Sequence, residues 1–278
     1  MKKSFSWVVM ITITLVSLTS LSHAQNVLDG VFVKEHYPTR KVVPYTHLRE
    51  ADVMWCKRIW RKMDLREKIN HPLYFPAQKI KDRRSLTQVI MDAVNEGSLT
   101  AYRGDDEEFT TVMTKAEIDG IMSRTDTLFV DDPDNPGNQI MKIATNEFDP
   151  SEVIEYRIKE DWFFDKQRSV LDVRIIGLQP VKFEENEGEV RSKPLFWIYY
   201  PEARSIFANA EVFNRQNDSE RKTLEDIFWK RMFGSYIFRE QNVYNRTISE
   251  YAQGMDALLE AERVKDDIFK LEHDLWEY

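Results

Sequence analysis

The chain has little with which to do chemistry. Its 278 residues include one cysteine, Cys56, which cannot close a disulfide within the chain or form a C-x-x-C pair. Nine glycines are roughly half the average share. Phosphate-cradling loops need glycine where backbone meets ligand, so this scarcity counts against a nucleotide-binding fold. G-x-S-x-G and G-x-x-x-x-G-K-[ST] are both missing, and with them the local signatures of serine hydrolases and P-loop enzymes. Beyond His23 the histidines are His36, His47, His71 and His273, none in an H-E-x-x-H pair. His71, just ahead of Pro72, reads as a capping or surface residue.

Carboxylates offer no better site. Asp131, Asp132 and Asp134 ahead of Gly137 resemble a calcium loop, but counting from Asp132 puts Pro136 fifth and Ile143 twelfth. Those places need an oxygen ligand and a glutamate, so the segment reads as an acidic hairpin loop. Asp161, Asp165 and Asp172 are candidates for a sugar-hydrolysing pair only because such pairs are set by fold; exposed strand and turn positions suit them better. Neither a metal nor a cofactor is expected.

Long apolar runs are also scarce. The one example, residues 7–21, follows Lys2 and Lys3 and precedes Ser22-His23-Ala24. This is the pattern of a secretory signal peptide over 1–24, with Gln25 the first mature residue. No other stretch reaches the length of a membrane span, and Cys56 lies too far from the cleavage point to carry a lipid. Cleavage removes two lysines and no acids, moving the net charge from −8 to −10. Residues 34–84 carry 14 basic against 6 acidic side chains, leaving −18 on the remainder. In an exported protein this asymmetry points to docking against acidic protein surface rather than to nucleic acid.

What is present is mostly scaffold. An extended arm over 25–46 leads into a segment rich in tryptophan and basic residues. Val53, Cys56, Trp60 and Met63 step by 3, 4 and 3, which predicts a helix over 47–68 with Cys56 as a small buried residue on its stripe. Trp55 and Trp60 are then anchors, and Lys57, Arg58, Arg61 and Lys62 contact acidic surface, in cis or on a neighbour. A second helix is predicted over 85–95, closed by Gly97, and Thr114 with Glu117 forms a capping box for a third. From residue 125 the pattern becomes strand-like: two strands around the acidic loop, then an antiparallel pair over 153–164 and 169–183 turning at 165–168. PLFWIYYP is apolar on both faces and reads as a central strand, with a sugar-stacking platform as the functional alternative. Asn217 and Glu220 predict a helix whose apolar side runs from Leu224 to Tyr236. A last helix is predicted from about residue 246, where Ala257, Ala261, Val264, Ile268, Leu271 and Leu275 form a short heptad-like seam. The sum is α+β: an antiparallel sheet flanked by helices, organised as 1–24 leader, 25–80 arm and basic segment, 81–240 core and 241–278 terminal helix.

Four stretches share a further property. DVMWCKRIWRKMDLREKINHPLYFP (52–76), LFWIYYPEAR (195–204), EVFNRQNDSERKTLEDIFWKRMFGSYIFRE (211–240) and NVYNRTISEYAQGMDALLE (242–260) resemble, in order, segments of the GldN/PorN family of gliding-motility and type IX secretion proteins. Cys56 stands where that family suggests a small residue such as serine. The resemblance implies a non-enzymatic part of the periplasmic machinery of Bacteroidota. It further implies assembly with the outer-membrane lipoprotein GldK or PorK into a ring, and contact with the periplasmic part of a GldL/GldM-type motor. The family carries no catalytic residue over to this chain. The competing reading is a periplasmic carbohydrate- or peptidoglycan-binding module, or a hydrolase, built on the PLFWIYYP aromatics.

Overall fold

Residues Val53–Asp64 form a twelve-residue strand, β1, where the sequence pattern predicts a helix. A computed structural model describes residues 39–80, 83–131, 139–186, 189–217 and 219–274, without the side chains of 124–147, 185–190 and 272. The expected leader, most of the arm, the acidic loop at 132–138, Gly188 and Leu275 lie outside the described residues. The chain divides into units Met1–Tyr37 and Pro38–Tyr278, and every described residue lies in the second.

After β1 come α1 (His71–Tyr74), α2 (Leu86–Asn95), β2 (Ala101–Arg103) and α3 (Lys115–Met122). Strands β3 (Ser123–Asp131) and β4 (Gln139–Glu147) pair as a separate hairpin, as the turn chemistry between them predicts. Then follow β5 (Val153–Asp165), β6 (Val170–Asn186), β7 (Glu189–Pro194), β8 (Phe196–Tyr199) and α4 (Tyr200–Phe207). The last third holds β9 (Glu211–Val212), β10 (Lys222–Thr223), α5 (Leu224–Trp229), β11 (Tyr236–Glu240), α6 (Ile248–Tyr251) and α7 (Met255–Asp274). Seven strands make one antiparallel sheet in the order β11-β1-β5-β6-β8-β2, with β7 also on β6. The α+β architecture is therefore the one expected.

The strand at β1 has a physical cause. Taken in steps of two, one face carries Val53, Trp55, Lys57, Ile59, Arg61 and Met63, and the other Met54, Cys56, Arg58, Trp60 and Lys62. Each face mixes apolar and long basic side chains, so alternation is hidden in the sequence. Between two neighbours, such cations lay their stems along the sheet and keep their charged ends at partners. The 3-4-3 spacing was coincidental.

The helical predictions hold where capping chemistry is local. Ser85 and Gln88 form the capping box of α2, and Thr114 and Glu117 that of α3. Gly97 has φ of 73°, the left-handed conformation expected beyond a helix end. The helix predicted from Asn217 is cut to α5, six residues capped by Thr223 and Asp226, and Tyr236 belongs to β11. Gly254, at φ 59°, separates α6 from α7.

Two hydrophobic clusters lie on one face of the sheet. The larger packs α2, α4 and α5 against Met63, Tyr156, Ile158 and Leu178. The smaller packs Ala261, Val264 and Ile268 of α7 against Ile59 and Ile237, with Trp55, Trp162 and Leu171 at its margin. The seam of α7 is thus filled by the chain's own sheet. Phe196, Trp197, Ile198 and Tyr200 are all buried, so PLFWIYYP is core and presents no stacking platform.

Candidate contact site on the first strand

Strand β1 distributes the six expected contact residues over both faces of the sheet. Trp55, Lys57 and Arg61 share the face covered by α7, and Arg58, Trp60 and Lys62 lie on the opposite one. A helix would have grouped the four cations along one arc; the strand separates them in pairs.

Each cation has a partner within the chain. On the helix-covered face, Lys57 Nζ lies 2.6 Å from Glu240 Oε2. Arg61 donates from Nε to Ser235 Oγ at 2.8 Å and from Nη2 to the Ser235 carbonyl at 2.9 Å. Burial pulls the Arg61 pKa below the ordinary arginine value, partly offset by nearby Glu160. Glu160 is itself fully buried and accepts from Arg231 at 2.9 Å. Such a pair holds strands and helix in one arrangement rather than offering a free charge.

On the opposite face, Arg58 donates in parallel from Nε and Nη2 to Asp161, at 2.6 and 2.7 Å. That fork raises the Arg58 pKa. Trp60 is buried under Arg239, whose guanidinium carbon stands 3.7 Å from the indole centroid. Arg239 is also ion-paired to Glu107 in the 104–111 loop. Lys62 and Arg157 both lie over the Phe238 ring and stand 3.7 Å from Glu155 Oε1, an ion contact beyond hydrogen-bond reach. Lys159 donates to the Glu107 carbonyl at 2.5 Å, and burial lowers its pKa. Acids to match the basic strand therefore come from β5 and β11, while the 104–111 loop serves Lys159 and Arg239 beside it.

Five other residues singled out in the sequence are corrected or explained. Cys56 is exposed, not buried, because the strand turns it away from the helical core; partial burial still raises its thiol pKa. Asp161 is occupied by Arg58, while Asp165 and Asp172 both hold Arg168, so the three carboxylates serve structural pairs. His71 opens α1, with Nε2 3.1 Å from the Arg66 carbonyl. Among the described residues no group of three or more His, Cys, Asp or Glu is placed to hold a metal ion.

A surface that sequence reading missed lies elsewhere. Two contiguous cavities, of about 380 and 550 Å³, share Lys68, Pro72, Phe213 and Arg215 as walls. They form where the HPLYFP exit after β1 meets the 213–216 loop, more than a hundred residues away. The Pro-rich exit was the available signal; its partner could not be read from spacing. Among the described residues no helix is long and apolar enough to cross a membrane.

A family model, that of gliding motility associated protein GldN, matches residues 48–277. No curated protein matches the chain. Because the family match begins just before β1 and runs past α7, taking in every strand and helix named above, the chain belongs to the GldN family of gliding motility associated proteins.

Proposed function

We propose that this protein is a non-enzymatic structural component of the type IX secretion and gliding machinery, acting in the periplasm. In this reading it assembles with the outer-membrane lipoprotein of the GldK/PorK type into a ring and contacts the periplasmic part of a GldL/GldM-type motor. The observation that carries it is the family match across residues 48–277. The side-chain chemistry supports it: conspicuous cations of β1 are paired with carboxylates of β5 and β11, which suits a rigid building block. The test is a deletion strain. Loss of type IX cargo from the medium, together with a fall in the level of the lipoprotein, is expected; normal cargo export would overturn the reading.

A further inference from the structure

The groove formed by the two contiguous cavities differs from β1 in its charge. Lys68, Arg83, Arg215 and Lys222 line it, and among the described residues no acidic side chain does. Lys68, Arg215 and Lys222 form no ion pair with any described residue, whereas the cations of β1 have acids within reach. Arg83 lies over Phe213, 5.1 Å from its centroid. The groove also exposes large apolar side chains: Ile69, Phe75, Ile80, Phe213 and Met232 are each more than two-fifths accessible. An apolar trough with an unmatched basic rim is the mould of an acidic, apolar segment.

Such a segment exists on the same chain, on the side of α7 away from its inner seam; there Glu262 is paired with Lys265 at 2.7 Å, and Asp266 and Phe269 also border a cavity with Arg61 and Arg231. The inner seam, Ala261, Val264 and Ile268, is spent on the sheet. About two-fifths of a turn round the helix, Met255, Leu259, Glu262, Asp266 and Phe269 follow one another at 4, 3, 4 and 3, with Leu258 beside them. Met255, Leu258, Leu259 and Phe269 are 70, 56, 62 and 67 % exposed. The helix carries seven acidic against three basic residues. This stripe is about 21 Å long at the rise of an α-helix. It cannot reach its own groove while its inner seam is packed on β1 and β11.

We propose that the outer stripe of α7 in one copy of this protein docks into the Lys68–Phe213–Arg215 groove of the next. Phe269, Leu259 and Met255 enter the trough, and Glu262 and Asp266 meet the basic rim. Groove and helix are different surfaces, so the contact is head-to-tail and propagates into a ring or a filament instead of stopping at a dimer. This inference rests on the scaffold reading and supplies a self-contact for it.

Sedimentation velocity of the purified protein over about 1 to 100 μM tests it, in the affinity range of a modest interface. The unsubstituted protein is expected to associate with rising concentration. Phe213→Asp in the groove and Leu259→Asp on the helix should each weaken association by at least about tenfold, as loss of a central anchor does. Thermal melts should be unchanged for Leu259→Asp; if Phe213→Asp loses stability, the rim variant Lys68→Glu/Arg215→Glu takes its place. An equimolar mixture of the groove and helix variants should give a dimer and nothing larger, because each pair retains one intact contact. A protein monomeric throughout, variants that associate normally, or a mixture that stays monomeric would overturn the proposal. None of these results bears on cargo export in the deletion strain, so the scaffold reading stands or falls separately.

Discussion

Phe109 rests its ring against the bare Cα of Gly177: a Cβ there would lie 2.5 Å from Cζ of the ring and 3.2 Å from the Ile198 carbonyl oxygen. Phe109 itself has φ of 60° and meets Tyr102, Trp197 and Tyr199 edge-on. This contact seats the 104–111 loop, and the loop in turn supplies Glu107 to Arg239 above Trp60.

Gly177→Ala should therefore lift the loop. A cost of about 1 to 2 kcal/mol in denaturant unfolding is expected, at the lower end of overpacking because a ring in a loop can shift. Phe109→Ala in the same background should add less than it does alone, since the two residues share one contact. Fully additive effects would show that the loop does not depend on this packing.

A pH effect follows from the same loop. Asp106 accepts from the Thr110 hydroxyl at 2.7 Å and from the amides of Thr110, Thr111 and Glu108 at 2.8, 2.6 and 3.0 Å. The Thr110 hydroxyl, then these amides, lower its pKa from 3.8 to about 2. A carboxyl depressed on folding stabilises above its unfolded pKa and loses that contribution as pH falls through the folded one. Protection of the Thr110 and Thr111 amides, taken relative to their intrinsic exchange rates, should hold at pH 5 and fall between about pH 4 and 2. Asp106→Asn should abolish that step; an unchanged profile would remove Asp106 from the role.

Glu225 holds a buried network beneath the start of the described chain. It accepts from Tyr200 Oη at 2.9 Å and Arg204 Nε at 2.7 Å. Arg204 also donates to the Val43 carbonyl at 2.8 Å and lies 4.1 Å from the Tyr45 centroid. Glu225→Ala leaves a guanidinium in the interior without a counter-charge, a loss of about 3 to 5 kcal/mol. The double variant Glu225→Leu/Arg204→Met should recover much of that loss in urea titration, because the interior charge goes with its partner. If the single variant costs no more than the double, the pair is not the organising feature.

Ile268 tests whether α7 belongs to the domain. It is buried against the cluster of Ile59 and Ile237, so Ile268→Ala should cost about 2 to 4 kcal/mol and red-shift the emission of the adjacent Trp55 and Trp162. An arm that merely reached for a partner would show neither change.

Elements governed by neighbours in the chain were legible. The helix over 85–95, the capping box at Thr114, the turn at 165–168, the β3–β4 hairpin and the buried aromatic strand β8 all stand where residue chemistry places them. Each depends on contacts a few residues apart or on a pattern apolar on both sides. The candidate site was legible only as composition. Its six residues stand out in the sequence as a dense aromatic and basic group, but their division between two faces does not, because β1 satisfies 3-4-3 spacing and alternation at once.

By itself, then, the sequence determined the α+β class, the bounds of α2, the start of α3, and the family to which the chain belongs. Tertiary structure decided what β1 is and what its charges do. A strand with cations on both faces is tolerable only when neighbours supply matching groups, and those come from Asp161, Glu155, Ser235 and Glu240, about a hundred or more residues away. The same long-range folding turned Cys56 outward, closed the seam of α7, and brought Lys68, Phe75, Ile80 and Arg83 beside Phe213 and Arg215 to make the basic groove. No periodicity records such meetings, because they are set by which surfaces bury one another and not by spacing along the chain.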